Sequence, residues 1–265
     1  MHDRQASNMT VEYDRRIRPS NREEMTVDFT MELCSLPVQV HHRYPHIRTL
    51  CADYLCSAAD PVLTVEATDA EIDAEMAITE GRFARAVCES TCLHRAIVRG
   101  FVPHGIMLMH AAVIAVDGVA YAFMAKSGVG KSTHIGLWQK AFGERAVVMN
   151  GDKPFFSFAP DGRLLAHGSP WRGKEGLGIN TSAPIGGICL LERGAANTIA
   201  PATPAEAVGR IFHQILIPSD PTDQATAMAF MDRVLRTVPI YRLACNMDIE
   251  AAHVAYAGMS STRNP

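Results

Sequence analysis

The segment Ala125-Lys126-Ser127-Gly128-Val129-Gly130-Lys131-Ser132-Thr133 has the residue types and spacing of a phosphate-cradling loop. An apolar run, Val119–Met124, precedes it, and a helical pattern from His134 to Trp138 follows, so the context is strand, loop, helix. Glycines let backbone N–H groups converge without a Cβ clash, and a helix N-terminus adds favourable potential for an anion. On this reading Ser127, Gly128, Val129, Gly130, Lys131, Ser132 and Thr133 bind a nucleoside triphosphate. Lys131 would reach the β- and γ-phosphates, and the Ser132 hydroxyl would help hold Mg²⁺. Ala125 stands where a first glycine is usual, a change that a loop start tolerates.

Three further segments could complete such chemistry. Val147-Val148-Met149-Asn150-Gly151-Asp152 is an apolar strand ending in a carboxylate, which suits Asp152 to the metal of a nucleotide. Asn-Gly-Asp is also good turn chemistry, and a turn at a strand end is where such an aspartate would sit. His110 lies in an apolar strand upstream of the loop, either as a hydrogen-bonded core residue or, on the hairpin feeding the loop, as a phosphate contact. The stretch from His167 to Asn180 is too polar for core and too rich in glycine for a helix. It reads as an ordinary solvated loop or as a mobile loop over a site. There Arg172 and Lys174 would stabilise charge on a transferring phosphoryl group, and Glu175 would bind metal or act as a base.

Lysine usage points to the same region. The chain has 20 Arg and five Lys, and every lysine falls between Lys126 and Lys174. Compact ammonium donors are thus kept where phosphates would lie. His41, His42 and His46 are spaced like metal ligands but lie far from this region, and we read them as structural or surface residues.

The composition bounds the class of protein. With 265 residues and a net charge of −3, the chain can bury a substantial core and has no basic footprint for nucleic acid. No apolar segment reaches the length of a membrane span, and seven cysteines without CxxC spacing read as buried thiols in a reducing cytoplasm.

Positioning these residues requires particular elements. Residues 1–25 are expected to be a disordered leader, with Met25 and Met31 as alternative starts. Residues 26–103 form a small N-terminal α/β portion: a strand over 26–40, a short helix over 45–58, a β-prone run at Pro61–Ala67 and helical pattern over Asp69–Arg99. From 104 to 260 the pattern turns to short strands, with Asp117-Gly118 as the hairpin signal between Ile106–Val116 and Val119–Met124. Several strands then follow the loop's helix without intervening helices. The expected class is therefore α/β, with a mixed, largely antiparallel sheet rather than an all-parallel one, carrying the P-loop and flanking helices.

Taken together, His110, the hairpin, Ser127–Ser132, a strand ending in Asp152, and Arg172-Gly173 with its glycine-rich continuation resemble the HPr kinase/phosphorylase catalytic domain. More remotely they resemble the nucleotide-binding core of phosphoenolpyruvate carboxykinase. The likeness covers roughly residues 104–260, and it is closer to a group of small HPr-kinase-like bacterial proteins. In those, Gly-Lys-Ser-Thr-His, Asn-Gly-Asp-Lys-Pro and Pro-Trp-x-Gly-Lys-Glu-Gly occur together, and some phosphorylate serine in a peptide.

The resemblance implies a mixed-sheet kinase fold, ATP with Mg²⁺, and transfer to a hydroxyl of a peptide, a protein or a small molecule. It casts Asp152, His110, Arg172, Lys174 and Glu175 as catalytic residues, with Ser132 and Asp152 on the metal. Such relatives are often oligomers, so it also allows self-association. In HPr kinase the strand after the P-loop ends in two adjacent aspartates, the first serving as general base; here that position is Gly151. Asp152 then serves both metal and proton, or Glu175, His110 or His134 takes the proton. The other reading is a regulatory protein that binds nucleotide without transferring phosphate.

Overall fold

The structure, a computed structural model, describes residues 27–261, so the expected leader and Met25 lie outside the described residues. The chain divides into two compact units, one ending at His104 and the other beginning at Gly105.

In the first unit, β1 (Val27–Leu33) and β2 (Leu36–His42) form an antiparallel hairpin where the sequence pattern predicts one strand. The turn is Cys34-Ser35, with φ of 56° and 62°. Both central residues adopt the left-handed region of a tight hairpin turn without the Asn or Gly that usually announces it. α1 (Pro45–Leu50), β3 (Leu55–Cys56) and β4 (Leu63–Val65) follow, and the sheet order is β3-β1-β2-β4. α2 (Asp69–Ile78) opens with a capping box between Thr68 and Glu71. α3 (Arg85–Phe101) buries Val87, Leu93, Ile97, Val98 and Phe101 at helical spacing. From the same helix the buried Glu89 accepts the backbone N–H groups of Arg43 and Tyr44, at 2.7 and 3.1 Å.

The second unit begins with β5 (Ile106–Leu108), β6 (Ala112–Val116) and β7 (Val119–Met124). The apolar run 106–116 is therefore two strands, and they pair in different places: β5 joins β9 (Phe155–Phe158), while β6 joins β7. The expected hairpin turn at Asp117-Gly118 is present between β6 and β7. After α4 (Lys131–Phe142) come β8 (Ala146–Asn150), β10 (Leu164–His167), the long β11 (Ser182–Arg193) and β12 (Thr198–Pro201). α5 (Pro204–Phe212), α6 (Pro221–Thr237), β13 (Ile240–Cys245) and α7 (Glu250–Ser260) complete the unit.

The sheet is mixed. β11 pairs in parallel with β7 and β13, whereas β6 is antiparallel to both β7 and β8. The first residues of β11 pair with β10, which continues antiparallel through β9 to β5. One layer of core packs Tyr121, Phe123, Ile135 and Trp138 with Ala251, Ala252, Ala255 and Met259 of α7, fixing α4 against the sheet. Trp138 is wholly buried, its ring 5.3 Å from Phe123 and 5.2 Å from Tyr121. Among the described residues no helix is long and apolar enough to cross a membrane.

Candidate functional site

Strand direction gathers the candidate residues. β7, β8, β11 and β13 all point the same way, because β7 and β8 are each antiparallel to the β6 between them. The ends of β7 and β8 and the start of β6 therefore share one edge of the sheet. The glycine-rich loop leaves β7 there, Asp152 follows β8, and His110 precedes β6. In open α/β sheets the crevice beyond the carboxyl ends of parallel strands is the usual ligand position.

The loop joins β7 to α4 with Gly128 at φ 78° and Gly130, the residue before the helix, at φ 127°. Both values lie in the region that favours glycine. Val129 N–H turns back onto Lys126 O at 3.3 Å, and Lys131 Nζ donates to Ala125 O at 3.1 Å. Ser132 and Thr133 are exposed on the first turn of α4, where helix N–H groups lack internal partners.

His110 lies in the connection between β5 and β6 rather than within a hairpin strand; its N–H donates to Gln214 O at 2.8 Å. The side chain meets Asp152, with Nε2 at 3.0 Å from Oδ1, while Lys153 Nζ stands 2.5 Å from Oδ2. Burial alone would push the Asp152 carboxyl up. The hydrogen bond from His110 and the charge of Lys153 outweigh it and hold the group well below the usual carboxylate range. An ionised carboxylate only accepts, so the proton shared with His110 sits on Nε2; in the neutral ring Nδ1 is then the bare nitrogen.

Asn150 organises this end of the site, a role that sequence reasoning missed. It is fully buried, and its Oδ1 accepts the N–H groups of Asp152 and Lys153 at 2.8 and 2.7 Å. Its Nδ2 reaches Ser169 O, Ser169 Oγ and Trp171 O at 3.1, 3.0 and 3.3 Å. Ser169 Oγ in turn donates to Lys153 O at 2.6 Å. One amide side chain thus shapes the Asp152 turn and ties it to the following loop.

That loop is pinned at both ends. Gly168 N–H donates to Thr181 O at 2.9 Å, Gly151 N–H to Leu177 O at 3.0 Å, and Ile179 N–H to Met149 O at 3.2 Å. Backbone approaches backbone so closely that a Cβ on Gly168 would stand 1.9 Å from Ile179 O. A Cβ on Gly151 would meet Arg172 O at 3.1 Å, and one on Gly173 would meet Asp152 Cβ at 2.8 Å. Trp171 and Ser169 are buried, Arg172 is half-buried, and Lys174 and Glu175 occupy the exposed tip.

His134 does not suit the proton-accepting role open to it from sequence alone. It is buried against Phe123, and its Nε2 accepts from Trp138 Nε1 at 3.0 Å. Burial lowers its pKa to about 4. The second missed residue is Arg193, at the end of β11. Its guanidinium donates to Gly128 O at 2.6 Å and to Val129 O at 3.3 Å.

Elsewhere His41 bonds Asp28 at 2.5 Å, and buried His42 bonds Tyr44 O at 3.0 Å. Among the described residues no group of three or more His, Cys, Asp or Glu side chains is arranged to hold a metal ion. A nucleotide-borne Mg²⁺ asks for less, one or two protein ligands completed by phosphate oxygens and water. The seven cysteines are free thiols. Compared with known proteins, the chain matches no family model and no curated protein.

Proposed function

We propose that this protein is an ATP-dependent phosphotransferase of the HPr-kinase type, transferring the γ-phosphoryl group to a hydroxyl. The observation that carries the reading is the meeting of the His110–Asp152 pair and the glycine-rich loop at one sheet edge. Ser127–Thr133 would bind the triphosphate, with Lys131 leaving Ala125 O to reach the β- and γ-phosphates. Asp152, charged at neutral pH, and the Ser132 hydroxyl suit Mg²⁺, a hard cation that takes oxygen ligands. Mg²⁺ would supply neutralisation of phosphate charge.

In the transfer, the acceptor oxygen bonds to the γ-phosphorus as the bond to the β–γ bridging oxygen breaks. ADP departs, and the hydroxyl proton passes to His110 Nδ1. Asp152 then orients the imidazole as well as serving the metal, which answers the absence of a carboxylate at Gly151. Arg172 and Lys174 would face the transferring group when the loop tip closes, and exposed Glu175 stands there as a further metal or proton ligand. The acceptor class is a serine of a peptide or protein, or a small molecule.

A second reading, a nucleotide-binding regulator without catalysis, is favoured by one observation. The space beside Gly151, where the first aspartate of HPr kinase would project, is filled by the carbonyl oxygens of Arg172 and Leu177. Binding itself is tested by titrating ATP into wild type and Lys131→Ala. We expect tight binding lost in the variant; unchanged affinity would remove the loop from the nucleotide site.

A further inference from the structure

We infer that Arg193 is a positioning residue for the glycine-rich loop, setting the direction of the Gly130 amide that would face phosphate; the inference rests on the nucleotide-binding reading above. Arg193 is the last residue of β11, whose parallel ladder to β7 carries it to the edge from which the loop departs. At the same position β11 pairs with β13, Arg193 opposite Cys245, so the backbone that presents the guanidinium is held from a second strand.

The contact has a directional consequence. Arg193 takes two successive loop carbonyls, Gly128 O at 2.6 Å and Val129 O at 3.3 Å. In a trans peptide the N–H points opposite to the C=O. Anchoring Val129 O therefore fixes the N–H of Gly130, while anchoring Gly128 O holds the preceding peptide in the turn in which Val129 N–H donates to Lys126 O at 3.3 Å. These peptides border Gly128 and Gly130, whose freedom of rotation would otherwise let the turn open and the Gly130 amide swing away from an anion. The planar guanidinium can hold both carbonyls at once, whereas an ammonium has no such fork. Loop order supplied before the ligand arrives lowers the cost of binding it.

The test compares wild type with Arg193→Met and Arg193→Lys. It measures affinities for ATP and ADP by calorimetry, ATP turnover, and the thermal midpoint without nucleotide. Positioning predicts that Arg193→Met weakens ATP and ADP alike by about tenfold. It also predicts a raised KM with kcat retained at saturating ATP, an unchanged nucleotide-free midpoint, and only partial recovery with lysine. Loss for ATP alone would make Arg193 a γ-phosphate contact and overturn the inference. Full recovery by lysine would reduce the effect to charge, and unchanged affinities would leave Arg193 without a role at the loop; either result overturns it. A lowered midpoint with normal affinity per folded molecule would assign the residue to the fold and do the same. If wild type itself binds neither nucleotide, the underlying reading of the loop fails, an outcome distinct from all of these.

Discussion

His110 Nε2 lies 3.0 Å from Asp152 Oδ1, and the two residues flank strands β6 and β8, which are hydrogen-bonded neighbours running in opposite directions. The residue just before one strand and the residue just after the other are thereby placed side by side. The meeting of His110 and Asp152 is a consequence of sheet topology, not of sequence proximity.

His110→Gln keeps a donor to Asp152 and removes the ring nitrogen that would take a proton. We expect ATP binding to persist and the Mg²⁺-dependent turnover to fall on the order of 100-fold. An unchanged rate, measured by release of labelled phosphate, would exclude His110 as the proton acceptor.

Gly151→Asp recreates the adjacent aspartates of HPr kinase in sequence but not in space. The new Cβ would press on Arg172 O at 3.1 Å, and a whole carboxylate must find room beyond it. The expected result is a destabilisation of about 2 kcal/mol with no gain in turnover. A faster enzyme of wild-type stability would show that the loop yields readily.

Asn150→Ala removes the buried amide that joins the Asp152 turn to the Ser169–Trp171 segment. Several buried polar groups lose their partner together, at a cost of about 3 kcal/mol in denaturant unfolding. A loss below about 1 kcal/mol would mean that water or a shift of the loop replaces those bonds.

Acid stability should depend on two buried histidines. His134 and His167 both have pKa values lowered by burial to about 4, against roughly 6.5 when unfolded. The folded state binds fewer protons than the unfolded one between these values, so the stability they support is complete above pH ~6.5 and is lost as pH falls toward about 4. His134→Gln should flatten this limb, by up to ~3 kcal/mol at its acid end. The check is unfolding free energy across that range, and a variant profile parallel to wild type would contradict it.

Much of the arrangement is legible in local sequence, and the rest depends on pairing. Asp117-Gly118 announces its hairpin because those residues accept positive φ, while Cys34-Ser35 makes an equally tight turn with no such signal. The run 106–116 reads as one strand because it is apolar throughout; only the separate partners of β5 and β6 reveal the break that frees His110. Asp152 is conspicuous as a carboxylate ending an apolar run. Asn150, two residues earlier, looks like turn chemistry until its buried bonds to Ser169 and Trp171 appear. Arg193 is more remote still: its contact with Gly128 exists because β11 lies parallel to β7, a long-range pairing that no spacing motif encodes.

The measurement that bears most directly on phosphoryl transfer is Mg²⁺-dependent ATP turnover by wild type beside Asp152→Asn, with ATP binding followed on the same samples. Wild type is expected to hydrolyse ATP slowly. In the variant hydrolysis should be lost, ATP should still bind without metal, and Mg²⁺ should no longer improve binding. Equal Mg²⁺ dependence and equal turnover in the two proteins would contradict the account and remove Asp152 from the site.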